Sequence, residues 1–218
     1  METTKNTNPI ENNVVTLTGE IVSEGRFSHD VFGEKFYIYD VNVARLSEQT
    51  DILPVTISER LLNLDDLAIG SKIAVTGQFR SYNKHEESFN RLILSVFART
   101  VDILTEETDE KDANSVTLRG FVCKKPSYRK TPLGREISDV LLAVNRPYGK
   151  SDYIPCICWG RNARFADNFN VGDEVIMHGR IQSRTYAKKI SETETENRTA
   201  YEVSVSKIEL LTENYDAE

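Results

Sequence analysis

Apolar and polar residues alternate along most of this chain, and the alternation occurs twice. The stretches 14–22 (VVTLTGEIV) and 115–122 (SVTLRGFV) switch character at nearly every residue. A period of two predicts half-buried strands. The run 140–144 (VLLAV) is apolar throughout, which fits a strand covered on both faces. Next comes 153–159 (YIPCICW), whose Pro155 recurs as Pro54 in the earlier copy. A proline at that position predicts an edge or bulge position. Segments with helical spacing follow at 58–70 and 160–172, each closed by a glycine. A fourth strand puts Val175, Met177, Gly179 and Ile181 on one face, matching Ile73, Val75, Gly77 and Phe79, and a fifth spans 201–210 or 91–104.

The two series are copies. VTLTG ending at Gly19 returns as VTLRG ending at Gly120, DILPVTISER (51–60) as DYIPCICWGR (152–161), and IGSKIAVTGQF (69–79) as VGDEVIMHGRI (171–181), at offsets of 101, 101 and 102 residues. Solenoid units recur at roughly 20 to 50 residues, so this spacing is a duplicated domain. Three strands, a short helix and two more strands is the order of a five-stranded Greek-key barrel, the OB-fold. An SH3-like barrel would not place a helix between strands three and four. The prediction is therefore an all-β chain of two tandem OB-folds, at 14–104 and 114–211. A disordered N-terminal arm (1–13), an acidic linker (105–113) and a short acidic tail (212–218) complete it.

Charge separates the copies. The chain carries a net charge of −7, yet residues 14–104 hold 9 Lys and Arg against 13 Asp and Glu, and residues 114–190 hold 14 against 6. Local clusters set the field a polyanion meets, so the second copy is the candidate binding domain. No apolar run approaches the roughly 18 residues of a membrane span, and the first residues are polar rather than signal-like. The cysteines, Cys123, Cys156 and Cys158, are odd in number with no histidine at ligand spacing. Reduced thiols in a cytoplasmic, nucleoid-associated protein are expected, with neither metal nor cofactor.

In the second copy, Tyr153 and Trp159 share one parity of their strand and Ile154, Cys156 and Cys158 the other, so the cysteines should face the core and the rings solvent. Tyr148 lies in the preceding loop, and Tyr186 ends the fourth strand. Arg146, Arg161, Arg180, Arg184, Lys188 and Lys189 interleave with these rings. A second cluster, Lys124, Lys125, Tyr128, Arg129, Lys130 and Arg135, fills the turn between the first two strands. Rings on one barrel face with cations between them suit single-stranded nucleic acid. Stacking holds a base without reading it, at roughly 1–3 kcal/mol per base, and the cations neutralise phosphates. The first copy has Ile52, Ser58 and Lys84 at the positions of Tyr153, Trp159 and Tyr186. Only Arg45, Arg80, Tyr82 and Lys84 remain there as contacts, and that copy is expected to serve assembly.

On the stretches 114–122, 141–148, 152–163, 171–186 and 199–210, the second half resembles the bacterial single-stranded DNA-binding (SSB) family. The resemblance implies that Tyr148, Tyr153, Trp159 and Tyr186 are base-stacking positions, and that the chain binds and protects single-stranded DNA without catalysis. It also implies a homodimer presenting four OB-folds. The chain stops at LTENYDAE, so the family's tail-mediated recruitment of replication proteins is not carried over. An adaptor of primosome type that binds DNA weakly is the rival expectation. An OB-fold nuclease would need converging carboxylates, which the sequence does not gather.

Overall fold

Alternation dictates the first strand, β1 (Asn13–Ile21): Val15 and Leu17 are fully buried and Thr16 faces outward. The computed structural model describes residues 11–47, 49–86, 89–104, 114–189 and 195–211, with only the backbone at 84–86 and 89–91. The acidic linker, the tail and residues 1–10 of the expected arm lie outside the described residues. Residues 11–13 belong to the fold, because Asn13 starts β1 and its side chain is buried.

The first half continues with β2 (Arg26–Val31), β3 (Glu34–Ala44), β4 (Thr50–Ser58), β5 (Lys72–Glu86) and β6 (Phe89–Ile103). Strand β1 pairs with β5 along one edge and with β3 through Glu20 and Ile21 on the other; β3 pairs with β4, β4 runs parallel to β6, and β6 pairs with β5. The ring of five is closed. The second half repeats it with β7 (Asn114–Val122), β8 (Ser127–Lys130), β9 (Glu136–Arg146), β10 (Lys150–Trp159), helix α1 (Arg161–Ala166), β11 (Glu174–Lys189) and β12 (Thr195–Leu211). The expected glycines on the fourth strand, Gly77 and Gly179, sit at β-bulges, where an added Cβ would meet the carbonyls of Phe97 and Ser204.

Two expectations are corrected and a third is narrowed. The turn 124–135 is a hairpin: β8 pairs residues 127–130 with 136–139, and Gly134, at φ 77°, closes its turn. The helical spacing yields an α-helix only in the second half, where Ala163 and Ala166, three apart, are buried. In the first half, Asn63 caps the segment by accepting from the Asp65 N–H, Asn and Asp are weak helix formers, and only a 3-10 turn forms at Leu64–Asp66. Pro54 and Pro155 mark no bulge; each takes a local edge position within an inner strand, paired on one side only. Each precedes by one residue the parallel pairing of an inner strand, where no partner needs its missing N–H.

The barrels join through β1 and β7, which pair antiparallel with Val15 opposite Val116. These are equivalent residues of the repeat, so a two-fold relation runs through that pair. Twelve strands thereby form one continuous sheet. The same symmetry sends one carboxylate from each barrel across the boundary. Asp51 of β4 accepts from the Ser183 backbone N–H at 2.7 Å and from its Oγ at 3.1 Å; Asp152 of β10 accepts from the Ser81 N–H at 2.7 Å. Both carboxylates are fully buried.

Candidate nucleic-acid interface

The alternation along β10 works as expected: Ile154, Cys156 and Cys158 are buried, and Tyr153 and Trp159 are 44% and 38% exposed. Burial pushes the Cys158 thiol up to about 12, so it stays protonated. The Trp159 indole Nε1 donates to Ser204 Oγ at 3.2 Å on the parallel neighbour β12, which fixes the ring's tilt while leaving part of it open. Tyr186, on the outer reach of β11, is 38% exposed, with the Arg184 guanidinium 5.8 Å from its ring centre. Tyr148 is 99% exposed and has φ 64°, ψ 32°. A non-glycine residue in the left-handed region is uncommon, and Tyr148 takes that conformation between Pro147 and Gly149, the latter at φ 67°. Four aromatic faces are thus open to flat ligands.

The basic residues divide into three groups. Lys124, Lys130, Arg135, Arg161, Lys188 and Lys189 are exposed, and Arg184 is exposed with Glu202 3.7 Å away. In the hairpin, Arg129 pairs with Asp139 at 2.9 Å, Tyr128 donates its hydroxyl to Glu136 at 2.7 Å, and Lys125 donates to the carbonyls of Asp167 and Phe169. Arg45, Arg146 and Arg180 turn toward the boundary between barrels: Arg45 and Arg180 bind Asp51 at 2.6 and 3.2 Å, and Arg146 lies 3.2 Å from Asp152. Among the described residues, no group of three or more His, Cys, Asp or Glu is placed to hold a metal ion. No helix among them is long and apolar enough to cross a membrane.

The model of the single-strand binding protein family matches residues 113–211. This domain belongs to that family. Over 80 residues, 34% of this chain, it is 38% identical to Single-stranded DNA-binding protein 2 of Listeria innocua, covering 50% of that protein. It is 36% identical to Single-stranded DNA-binding protein A of Bacillus subtilis, covering 46% of it. The chain spans about half the length of the curated relatives it matches. A deletion mutant of the single-stranded DNA binding protein from Thermus aquaticus superposes on 94% of this chain and 97% of its own with a TM-score of 0.74, at 21% identity. That match extends the shared fold to both barrels.

Within the SSB domain, the sequence reading overestimated the cations turned to solvent. Arg146 and Arg180, with Arg45 of the first barrel, are drawn to carboxylates that the other strands bury. The residues missed were Asp51 and Asp152, although both stand at the 101-residue offset inside the repeated strings. Their environments differ. Burial alone would raise Asp51, but hydrogen bonds from Arg45 and Ser183 outweigh it and hold the carboxyl below its ordinary value. Burial raises Asp152, and the Ser81 N–H and the charges of Arg146 and Arg80 only partly offset it. Arg146 Nε and Asp152 Oδ2 face each other without hydrogen-bond alignment. The side chain of Lys84 lies outside the described residues; Arg80 is half-buried and Tyr82 exposed.

Proposed function

We propose that this chain binds and protects single-stranded DNA, largely without regard to sequence and without catalysis, in replication, recombination, repair or mobile-element transfer. One observation carries the reading: the family-matching domain opens Tyr148, Tyr153, Trp159 and Tyr186 to solvent beside exposed Arg161 and Arg184. Stacking on such rings tolerates every base, and the cations between them neutralise phosphates. The relatives' names are in accord. Domain 114–211 is the binding unit in this reading; domain 14–104, with Ile52, Ser58 and Lys84 at three stacking positions, serves assembly more than stacking. The setting is the cytoplasm, at the nucleoid.

Titration with poly(dT) over a range of salt tests the reading. For single strands, log K falls by roughly 0.7 per phosphate neutralised for each unit of log salt. A steep slope is expected. Arg161→Ala and Arg184→Ala should each flatten it by under one unit. A salt-independent affinity would point to a carbohydrate or protein ligand.

The assembly proposed is a homodimer presenting four barrels, in which one strand gains affinity through effective concentration. Exposed Ile52, in place of the stacking Tyr153, leaves an apolar sheet surface for the contact. Sedimentation equilibrium at micromolar concentration should return twice the chain mass. A monomer that still binds tightly would remove the dimer from the account.

A further inference from the structure

The first barrel lacks rings at the second barrel's stacking positions, but one ring has moved to the adjacent strand. In the second barrel Trp159 of β10 contacts Ser204 of β12. The first barrel has the reverse pair, Ser58 where Trp159 stands and Phe97 where Ser204 stands. The strand registers establish the second equivalence, since Thr56 pairs with Phe97 as Ile157 pairs with Ser204. Buried Val96 and Ala98 flank Phe97, so its ring lies on the barrel's outer face, half-buried.

A cation covers that ring. The Arg80 guanidinium lies 3.9 Å from the Phe97 ring centre, and Phe97 also meets Phe36, against which His29 stacks at 4.7 Å and 6°. Arg80 donates only to the neutral Gln78 Oε1, at 3.1 and 2.8 Å, and no carboxylate among the described residues lies within ion-pair distance of it. In the second barrel the position of Gln78 is taken by Arg180, which is paired with Asp51. Arg80 therefore lacks an ion-pair partner in a confined place, and the Asp152 carboxylate acts on it only from beyond ion-pair distance. Burial, then the neighbouring charge of Arg146, lowers its pKa, and the charge of Asp152 only partly offsets this.

The place is a cleft of about 370 Å³ lined by Arg80, Phe97, Tyr82, His29 and Arg146. It shares Ser81, Tyr82 and Arg146 with a smaller cleft of about 240 Å³ that reaches Lys150 and Tyr153. A path lined by rings and cations thus leads from a stacking residue of the second barrel onto the first. We propose that this cleft is a second nucleotide-binding site, taking the continuation of the strand that crosses Tyr153. A base stacks on the Arg80 plane or on Tyr82, and its phosphates lie between Arg80 and Arg146. Guanidinium planes stack on bases, and a half-desolvated cation gains most from an anion. The inference rests on the second barrel being a single-strand binder.

The test uses the full chain with dT oligomers of about 8 and about 35 nucleotides, the shorter within the reach of one barrel. Tyr82→Ala removes an exposed ring, and Arg80→Met keeps an apolar stem over Phe97. Both variants should bind the long oligomer roughly 5- to 100-fold more weakly, the loss of one stacked base. Both should bind the short one as the parent does, and quench Trp159 fully at saturation. Full quenching with unchanged long-oligomer affinity in both variants overturns the site and spares the second barrel's role. Equal losses on both lengths would place Tyr82 in the second barrel's own footprint, which also overturns it. Absence of Trp159 quenching in the parent removes the underlying reading itself.

Discussion

Trp159→Ala should weaken binding of poly(dT) by about 1–3 kcal/mol, the value of one stacked base. The indole is anchored by one hydrogen bond to Ser204 and leaves 38% of the residue open, so it meets a base without rearranging. Preorganised contacts lose less entropy on binding. The chain holds one Trp, so its emission reports this position alone. Saturating poly(dT) should quench it strongly. Trp159→Phe keeps a ring but loses the tether to Ser204, and should fall between the parent and the alanine variant. Emission that stays unchanged at saturation would assign Trp159 to a subunit contact and remove it from the binding face.

The barrel order was legible because period-two alternation sorts side chains between core and solvent one strand at a time. Val175, Met177 and Ile181, and their matches Ile73, Val75 and Phe79, are all buried as that pattern requires. The hairpin strand β8 was not legible. SYRK has no apolar alternation, because only Tyr128 of its four residues packs against the core and the others are exposed. What fixes it is pairing to β9 and the turn at Gly134. Segment 58–70 had helical spacing but not helical composition; with the weak helix formers Asn63, Asp65 and Asp66 in it, only a 3-10 turn forms.

The aromatic positions were legible for the same reason as the core. A strand with Cys156 and Cys158 inside must send Tyr153 and Trp159 outside. The fates of the cations were not. Arg180 and Asp51 stand 129 residues apart in the chain, and their meeting depends on how the barrels dock. No periodicity encodes that. The transposition of a ring from position 58 to Phe97 was equally hidden, because it appears only once the register of β4 against β6 is known.

Asp51→Asn should destabilise the joined barrels by about 2–3 kcal/mol at neutral pH. Breaking a buried ion pair costs about 3–5 kcal/mol, and partial exposure of the two cations reduces that figure. Arg45 and Arg180 would face each other without their shared anion, across a boundary that Asp51 also holds through Ser183. Asp152→Asn should cost far less, under about 1 kcal/mol, although it changes the equivalent residue. An amide oxygen still accepts from the Ser81 N–H. The signs of the pKa shifts separate the two further. Asp51 titrates below its ordinary value, so its stabilisation is present above the unfolded-state pKa and is lost as pH falls through the folded one. Asp152 titrates above its ordinary value, so its contribution is complete below the unfolded-state pKa and is lost as pH rises through the folded one. Urea unfolding of the parent and both variants at neutral and acidic pH resolves the difference. The gap between parent and Asp51→Asn should narrow in acid, while at neutral pH Asp152→Asn stays close to the parent. Equal losses in the two variants would mean that the boundary is symmetric in energy as well as in topology, and that the unaligned Arg146–Asp152 contact is as strong as the bidentate one at Arg45.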